Sequence, residues 1–219
     1  VNASEGAFRA GFGTYGETYF NGFVNAPLAE DKLYGRLAVF HQQRDGYVDN
    51  LAGGDLNGKD TFAVRGSLRL DLGEASGLDL IVNHQKDTPP GTAFRTNGYY
   101  TPVRPRIFIA PLPTRGGSTD VFDRTADLNR GDDLGLDRTV TGVSLLGQFW
   151  LSDDWSLSTI TGWREFDSHE EFDGDGSQLS LIESAEIAEG RQFSQEVRFN
   201  FDAGGAFRKF RQRLASRRA

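Results

Sequence analysis

The chain has 219 residues, 37% of them apolar, with 31 acidic against 24 basic side chains and a formal charge of -7. Its mean hydropathy is below zero and no run approaches the roughly 20 apolar residues of a membrane-crossing helix, which excludes a helical membrane protein. The acidic balance weighs against general nucleic-acid binding, which needs a basic surface; the absence of cysteine excludes disulfides, thiol chemistry and thiolate metal sites.

Period-2 alternation begins almost at once. Phe8, Ala10 and Phe12 alternate with Arg9, Gly11 and Gly13; Phe20 and Val24 with Tyr19, Asn21 and Asn25; Leu33, Leu37 and Val39 with Tyr34, Arg36 and Gln42. The clearest segment sets Phe62, Val64, Gly66, Leu68, Leu70 and Leu72 against Arg65, Ser67, Arg69 and Asp71. Leu78, Leu80 and Val82 then oppose Asp79 and Asn83. Segments 139–151 and 155–166 are less regular but rich in β-branched and aromatic residues. Near the end, Phe193, Val197, Phe199 and Phe201 oppose Ser194, Glu196, Arg198 and Asn200. The pattern predicts about eight strands, each longer than the 5 or 6 residues usual in soluble sheets.

The connections alternate in length. Short turns are expected at 27–32, 73–77 and 152–154, each with Gly, Pro, Ser or Asp to reverse the chain. Long ones are expected at 45–59, 87–137 and 168–190, with a tight reversal at 15–17 on their side. This predicts an all-β fold: a long antiparallel meander forming part of a transmembrane β-barrel with short periplasmic turns and long extracellular loops. A soluble sandwich would have shorter strands and turns of similar length at both ends. Segment 87–137 holds Pro89, Pro90, Pro102, Pro105, Pro111 and Pro113 and so is not a sheet interior. Its Phe94, Tyr99, Tyr100 and Phe108 are interleaved with Arg95, Arg104, Arg106 and Arg115. Arg95, Tyr99, Tyr100, Arg104 and Arg106 are therefore the candidate ligand contacts.

Motifs for other chemistry are thin. Gly11-Phe12-Gly13-Thr14-Tyr15-Gly16 has the GxGxxG spacing, but a strand pattern follows it where a dinucleotide site needs a helix. Asp173-Gly174-Asp175-Gly176, beside Glu170 and Glu171, lacks the third and distal acidic ligands of a calcium loop and reads as a solvated acidic loop. Nothing fixes those carboxylates at a glycosidase separation. His41, His84 and His169 are scattered, and the first two fall on the apolar phase. No catalytic residue, metal site or cofactor is expected. Trp150, Trp155, Trp163 and Tyr19 lie toward strand ends, as in an aromatic girdle. Arg36, Arg65, Arg69, Glu196 and Arg198 occupy the polar phase, which would face a lumen.

Three segments carry a family likeness. YGETYFNGFVNAPLAEDKLYGRLAVFHQQRDGYVDN (15–50) resembles the opening barrel strands of TonB-dependent receptors; WSLSTITGWREFD (155–167) is similar to a later strand of that barrel, and RQFSQEVRFN (191–200) to its Phe-Ser-Gln-Glu-Leu-Arg strand. The likeness implies a non-enzymatic outer-membrane receptor of a Gram-negative bacterium. It would bind a siderophore, cobalamin or saccharide outside and import it with the TonB system, its partners being a plug domain, TonB and the lipid bilayer. The alternatives are another outer-membrane barrel such as a porin, or a soluble β-rich carbohydrate-binding or glycosidase module. The expected organisation is a partial barrel over 1–201, without plug or closing strands, and a tail over 202–219. In that tail Arg208, Lys209, Arg211, Arg213, Arg217 and Arg218 crowd together, and it is expected to be disordered or an artefact of truncation.

Overall fold

The computed structural model describes residues 3–73, 76–95, 118 and 120–202 and, as backbone alone, 99–100, 108–109 and 208–218. Its main sheet comprises β1 (Glu5–Phe12), β2 (Thr18–Ala29), β3 (Leu33–Arg44), β4 (Lys59–Gly73), β5 (Ser76–Asp87), β6 (Gly135–Ser152), β7 (Trp155–Asp173), β8 (Glu183–Asp202) and β9 (Arg208–Arg218). Each strand pairs with the next in sequence and always antiparallel, so the nine form one meander. The first eight are the strands the alternation predicts. Arg208–Arg218, from the segment that the sequence reading set apart as a tail, runs beside β8 from Asp202↔Arg208 to Gln192↔Arg218.

Register keeps the two sequence phases on separate faces, because a slip of one residue would exchange them. Leu37, Gly66, Val82, Val143, Trp163 and Phe193 follow one another across six strands on one face. One position along each strand, Ala38, Arg65, Asn83, Gly142, Arg164 and Gln192 do the same on the other. The sheet is a single layer, and the apolar face leaves Leu37, Val82, Trp163 and Phe193 well exposed. An apolar surface this continuous is what a soluble sheet covers with a second layer and a barrel presents to lipid.

The connections alternate as expected. The turns at 30–32 and 153–154 and the close pair Gly73↔Ser76 lie at one end; 13–17, 45–58, 174–182 and the described residues between β5 and β6 that flank their ends, 88–95 and 120–134, lie at the other. At the tight outer reversal Tyr15 and Gly16 both take left-handed backbone, φ 60° and 62°, as a two-residue hairpin turn requires. A Cβ on Gly16 would lie 2.4 Å from Asp45 Oδ2. The GxGxxG spacing thus ends in a turn glycine. The loop expected at 168–190 is shorter, since β7 and β8 run on in register to Asp173↔Glu183. At their outer ends Glu165, Asp167 and His169 continue the face of Trp163 while Phe166 and Phe172 fall on the opposite one, and so the alternation is lost while the strands persist.

The apolar core lies outside the wall. Val48, Leu56, Ala126, Leu128 and Leu134 form a buried cluster with Ala93 packed against it, and all six belong to the loops 45–58 and 88–134. There Val48–Asn50 pairs antiparallel with Asp55–Leu56 and parallel with Thr125–Ala126.

Candidate functional site

The outer loops form a built cap. Asn50, 3% exposed, takes the Leu128 amide on Oδ1 at 2.9 Å and donates from Nδ2 to the Gly53 and Leu128 carbonyls at 3.2 and 3.3 Å. It thereby does for two loops what a strand would otherwise do, satisfying buried backbone groups. Asn57 plays the same part further on. Its amide donates to the Gly91 carbonyl and its Oδ1 accepts from the Ala93 amide at 3.0 Å.

Arg95 closes the proline-rich loop on itself. Its guanidinium donates to the carbonyls of Ser118 and Thr125 at 2.7 and 2.6 Å and to that of Asp123 at 2.7 Å. The fork geometry of arginine suits such a clamp and lysine's point charge does not. The Asp123 carboxylate is held below the usual range, first by the Thr125 amide and then by the Ser118 hydroxyl.

The cap is tied to the projecting ends of β7 and β8 by carboxylates. Asp173, 1% exposed, accepts the amides of Asp175 and Gly176 on Oδ1 at 3.2 and 3.1 Å and that of Asn129 on Oδ2 at 3.1 Å. Asp175 holds Ser177 through Oδ1 and the Leu181 and Ile182 amides through Oδ2. Asn129 Nδ2 donates to Glu183 at 2.7 Å, and Arg130 pairs with Glu171 at 2.5 Å. The expectation of a solvated acidic loop is therefore corrected: Asp173 and Asp175 are buried turn acceptors. Burial, and next the charge of Asp175, raise the Asp173 carboxyl above its ordinary value, opposed by the three amides. Among the described residues no group of acidic or imidazole side chains is arranged to hold a metal.

Chain length shows how the cap sits. From Ala126, beside Asn50, to Asn129, on Asp173, an extended chain reaches at most about 11 Å. The strands β4 and β7 are three spacings apart, roughly 14 Å. Loop 45–58 and hairpin 174–182 thus lean toward one another over the ends of β5 and β6.

Below the cap, the polar face carries the predicted arginines, several of them already engaged. Arg36 donates to Asn25 at 3.0 Å, Asn25 to Glu5 at 2.6 Å, and the Arg36 guanidinium lies 3.9 Å from the centre of the Phe23 ring. Arg69 bonds Asp71 at 2.9 Å, and Arg198 pairs with Glu196. Arg164, Asn83, Gln85 and Gln192 rim a polar groove of about 410 Å³ floored by Gly142 and Gly162. Trp155 and Trp163 stand on the apolar face, whereas register puts Trp150 opposite Ser156 and Tyr19 opposite Gln42, on the polar one.

Of the predicted ligand contacts, Arg95 is committed to loop carbonyls. Tyr99–Tyr100 pairs as backbone with Phe108–Ile109; Arg104, Arg106 and Arg115 lie outside the described residues. Asn50, Asn57 and Asn129, which the sequence reading passed over, organise the cap. Their only signal was polar residues beside Gly and Asp within long loops.

A one-layer meander with an apolar outer face, short turns at one end and a capped end opposite is the architecture of an outer-membrane barrel wall. No family model and no curated protein sequence matches the chain. Among solved structures it is similar to the ferric yersiniabactin uptake receptor FyuA from Yersinia pestis, with a TM-score of 0.68 and 18% identity over 100% of this chain and 32% of the receptor. It is also similar to the ferric-catecholate import receptor Fiu from E. coli K12 in its open form, with a TM-score of 0.65 and 17% identity over 94% of this chain and 32% of that one. The chain spans about a third of the length of either receptor. Its fold is that of the barrel wall of TonB-dependent receptors, as the sequence likeness implied.

Proposed function

We propose that this chain forms part of the wall and outer cap of a TonB-dependent receptor in the outer membrane of a Gram-negative bacterium. In this reading the protein is a transporter without catalytic chemistry. It takes up a scarce nutrient, a ferric siderophore first among the classes and cobalamin or a saccharide after it. A plug domain and the TonB system are its partners. The observation that carries this is the overlay of the whole meander on a ferric-chelate uptake receptor; the names of both neighbours support a chelate as ligand. Tyr99, Tyr100, Arg104 and Arg106 are the proposed ligand contacts. Arg95 acts through the loop it clamps.

The test is uptake of radiolabelled ferric siderophores, cobalamin and saccharides by a strain deleted for the gene and complemented with it, with and without a functional TonB. The reading requires at least one of these substrates, a ferric chelate first, whose uptake depends on both the gene and TonB. Uptake of every chelate, cobalamin and saccharide tested at the deletion-strain level would remove it.

A further inference from the structure

Glycine inside a strand weakens it, and its usual reasons are a bulge, a tight bend, or the close approach of something else. On the apolar face most glycines have a steric reason. A Cβ on Gly35 would meet Leu28 Cδ1 at 3.0 Å, on Gly22 the Ala7 carbonyl at 3.1 Å, and on Gly147 Thr159 Oγ1 at 2.6 Å. Gly66 has none. Its chain neighbours Arg65 and Ser67 aside, no described residue has an atom within 4 Å of its Cβ position, and its pairings Leu37↔Gly66 and Gly66↔Val82 continue the ladder without a bulge.

Around it is a groove of about 340 Å³ walled by Val24, Leu28, Leu37, Leu68, Leu80 and Val82, with Gly35 and Gly66 as its floor. Arg36 and Ser67 line it too, but register puts both side chains on the opposite face, beside Asn25 and Ile81 respectively. The groove therefore offers an occupant hydrocarbon and no charge. It belongs to the face that meets lipid, and it runs from the middle of the strands, at Val24 and Val82, toward Leu28 at the short-turn end.

We propose that the groove at Gly66 seats one acyl chain of a phospholipid. Glycine there leaves a slot into which a methylene chain fits below the level of the surrounding leucines and valines, so that this lipid is held longer than the lipid around the rest of the wall. The proposal rests on the membrane reading of the apolar face.

The experiment is native mass spectrometry of the full-length protein released from mild detergent, after insertion into phospholipid nanodiscs has been verified. The wild type should retain one phospholipid. In Gly66→Leu, whose side chain enters the slot from a Cβ position clear of neighbouring strands, retention should fall at least about tenfold, the loss expected when about two methylenes of contact are displaced. Gly66→Ala should fall between, and it answers the question should the leucine variant not fold. Val143→Leu, on the same face outside the groove, should retain lipid as the wild type does. Equal retention by the wild type, Gly66→Ala and Gly66→Leu in inserted protein overturns the groove proposal alone, as does a second copy of the chain in place of lipid. Failure of the wild type to enter nanodiscs overturns it together with the membrane reading.

Discussion

Trp155 and Trp163 stand on the same face of β7, with Leu157, Thr159 and Thr161 between them, and face Phe201 and Phe193 on β8. At about 3.3 Å per residue they are roughly 26 Å apart along the strand, close to the length of 9–11 residues that crosses a bilayer. Past Trp163 the same face turns to Glu165, Asp167 and His169, so in the proposed membrane placement the second tryptophan stands at the outer limit of the lipid-facing part of β7. Strands of 18, 19 and 20 residues in β6, β7 and β8 then project outward and carry the cap.

This placement predicts a depth-dependent penalty. Val197, opposite Thr159 midway between the two tryptophans, should lose about 2–4 kcal/mol when replaced by arginine, whereas Phe193→Arg at the edge should lose no more than about 1 kcal/mol. Urea-dependent folding of the full-length protein into vesicles measures both. Equal losses would contradict the band as drawn.

The clamp at Arg95 separates positioning from contact. Arg95→Lys keeps the charge but cannot reach the carbonyls of Ser118, Asp123 and Thr125 together, so segment 118–126 should be cleaved faster by protease while the wall stays resistant. A hydrogen bond to a charged group contributes about 1.5–3 kcal/mol, enough to raise cleavage by an order of magnitude or more. If ligand binding weakens and the cleavage rate does not change, Arg95 touches ligand directly and the clamp is secondary.

Asp173 predicts a pH dependence of defined sign. Its carboxyl is raised in the fold by burial and by Asp175, so the folded hairpin binds a proton more readily than the unfolded chain. The contribution to stability is complete below the unfolded value, near 3.9, and is lost as pH rises through the raised one. Protection factors of the Asp175 and Gly176 amides should thus increase as pH is lowered from neutral. Asp173→Asn should flatten that dependence. It keeps an oxygen for both amides but turns Nδ2 toward the Asn129 amide, donor against donor, so Asn129 should lose protection at every pH. A protection profile that falls on acidification, or an Asn129 amide unmoved in the variant, contradicts this account.

How much of this was legible in the sequence depended on which physical signal each part obeys. The wall was readable because a sheet with one apolar and one polar face imposes period-2 alternation, and Phe62 to Leu72 shows it without interruption. The outer ends of β7 and β8 were not, since Glu165, Asp167 and His169 replace apolar residues on the face of Trp163 while Phe172 and Asp173 turn to the cap, and the alternation stops although the backbone ladder continues. Tyr19 and Trp150 were misplaced because residue type suggested a girdle where only register decides the face. The cap escaped for a different reason. Its core of Val48, Leu56, Ala126, Leu128 and Leu134 is assembled from two loops far apart in sequence, and no local pattern announces that Asn50 will meet Leu128.

Gly176 offers the sharpest test of how that cap is docked. It takes left-handed backbone, φ 66°, and a Cβ there would lie 2.8 Å from the Phe94 carbonyl and 2.9 Å from the Arg95 amide. Two penalties therefore combine in Gly176→Ala: about 1–2 kcal/mol for an L-residue in this conformation, and a collision with backbone that cannot rotate away. The second can be relieved only by moving the proline-rich loop off the hairpin, which also parts the Phe94 and Phe172 rings, whose centres are 6.4 Å apart. Hydrogen exchange should therefore quicken together in 91–95 and 174–182, and the ladder amides of β2 through β5 should stay protected. An exchange increase confined to the hairpin would mean that strain alone is felt and that the loop is not seated on Gly176.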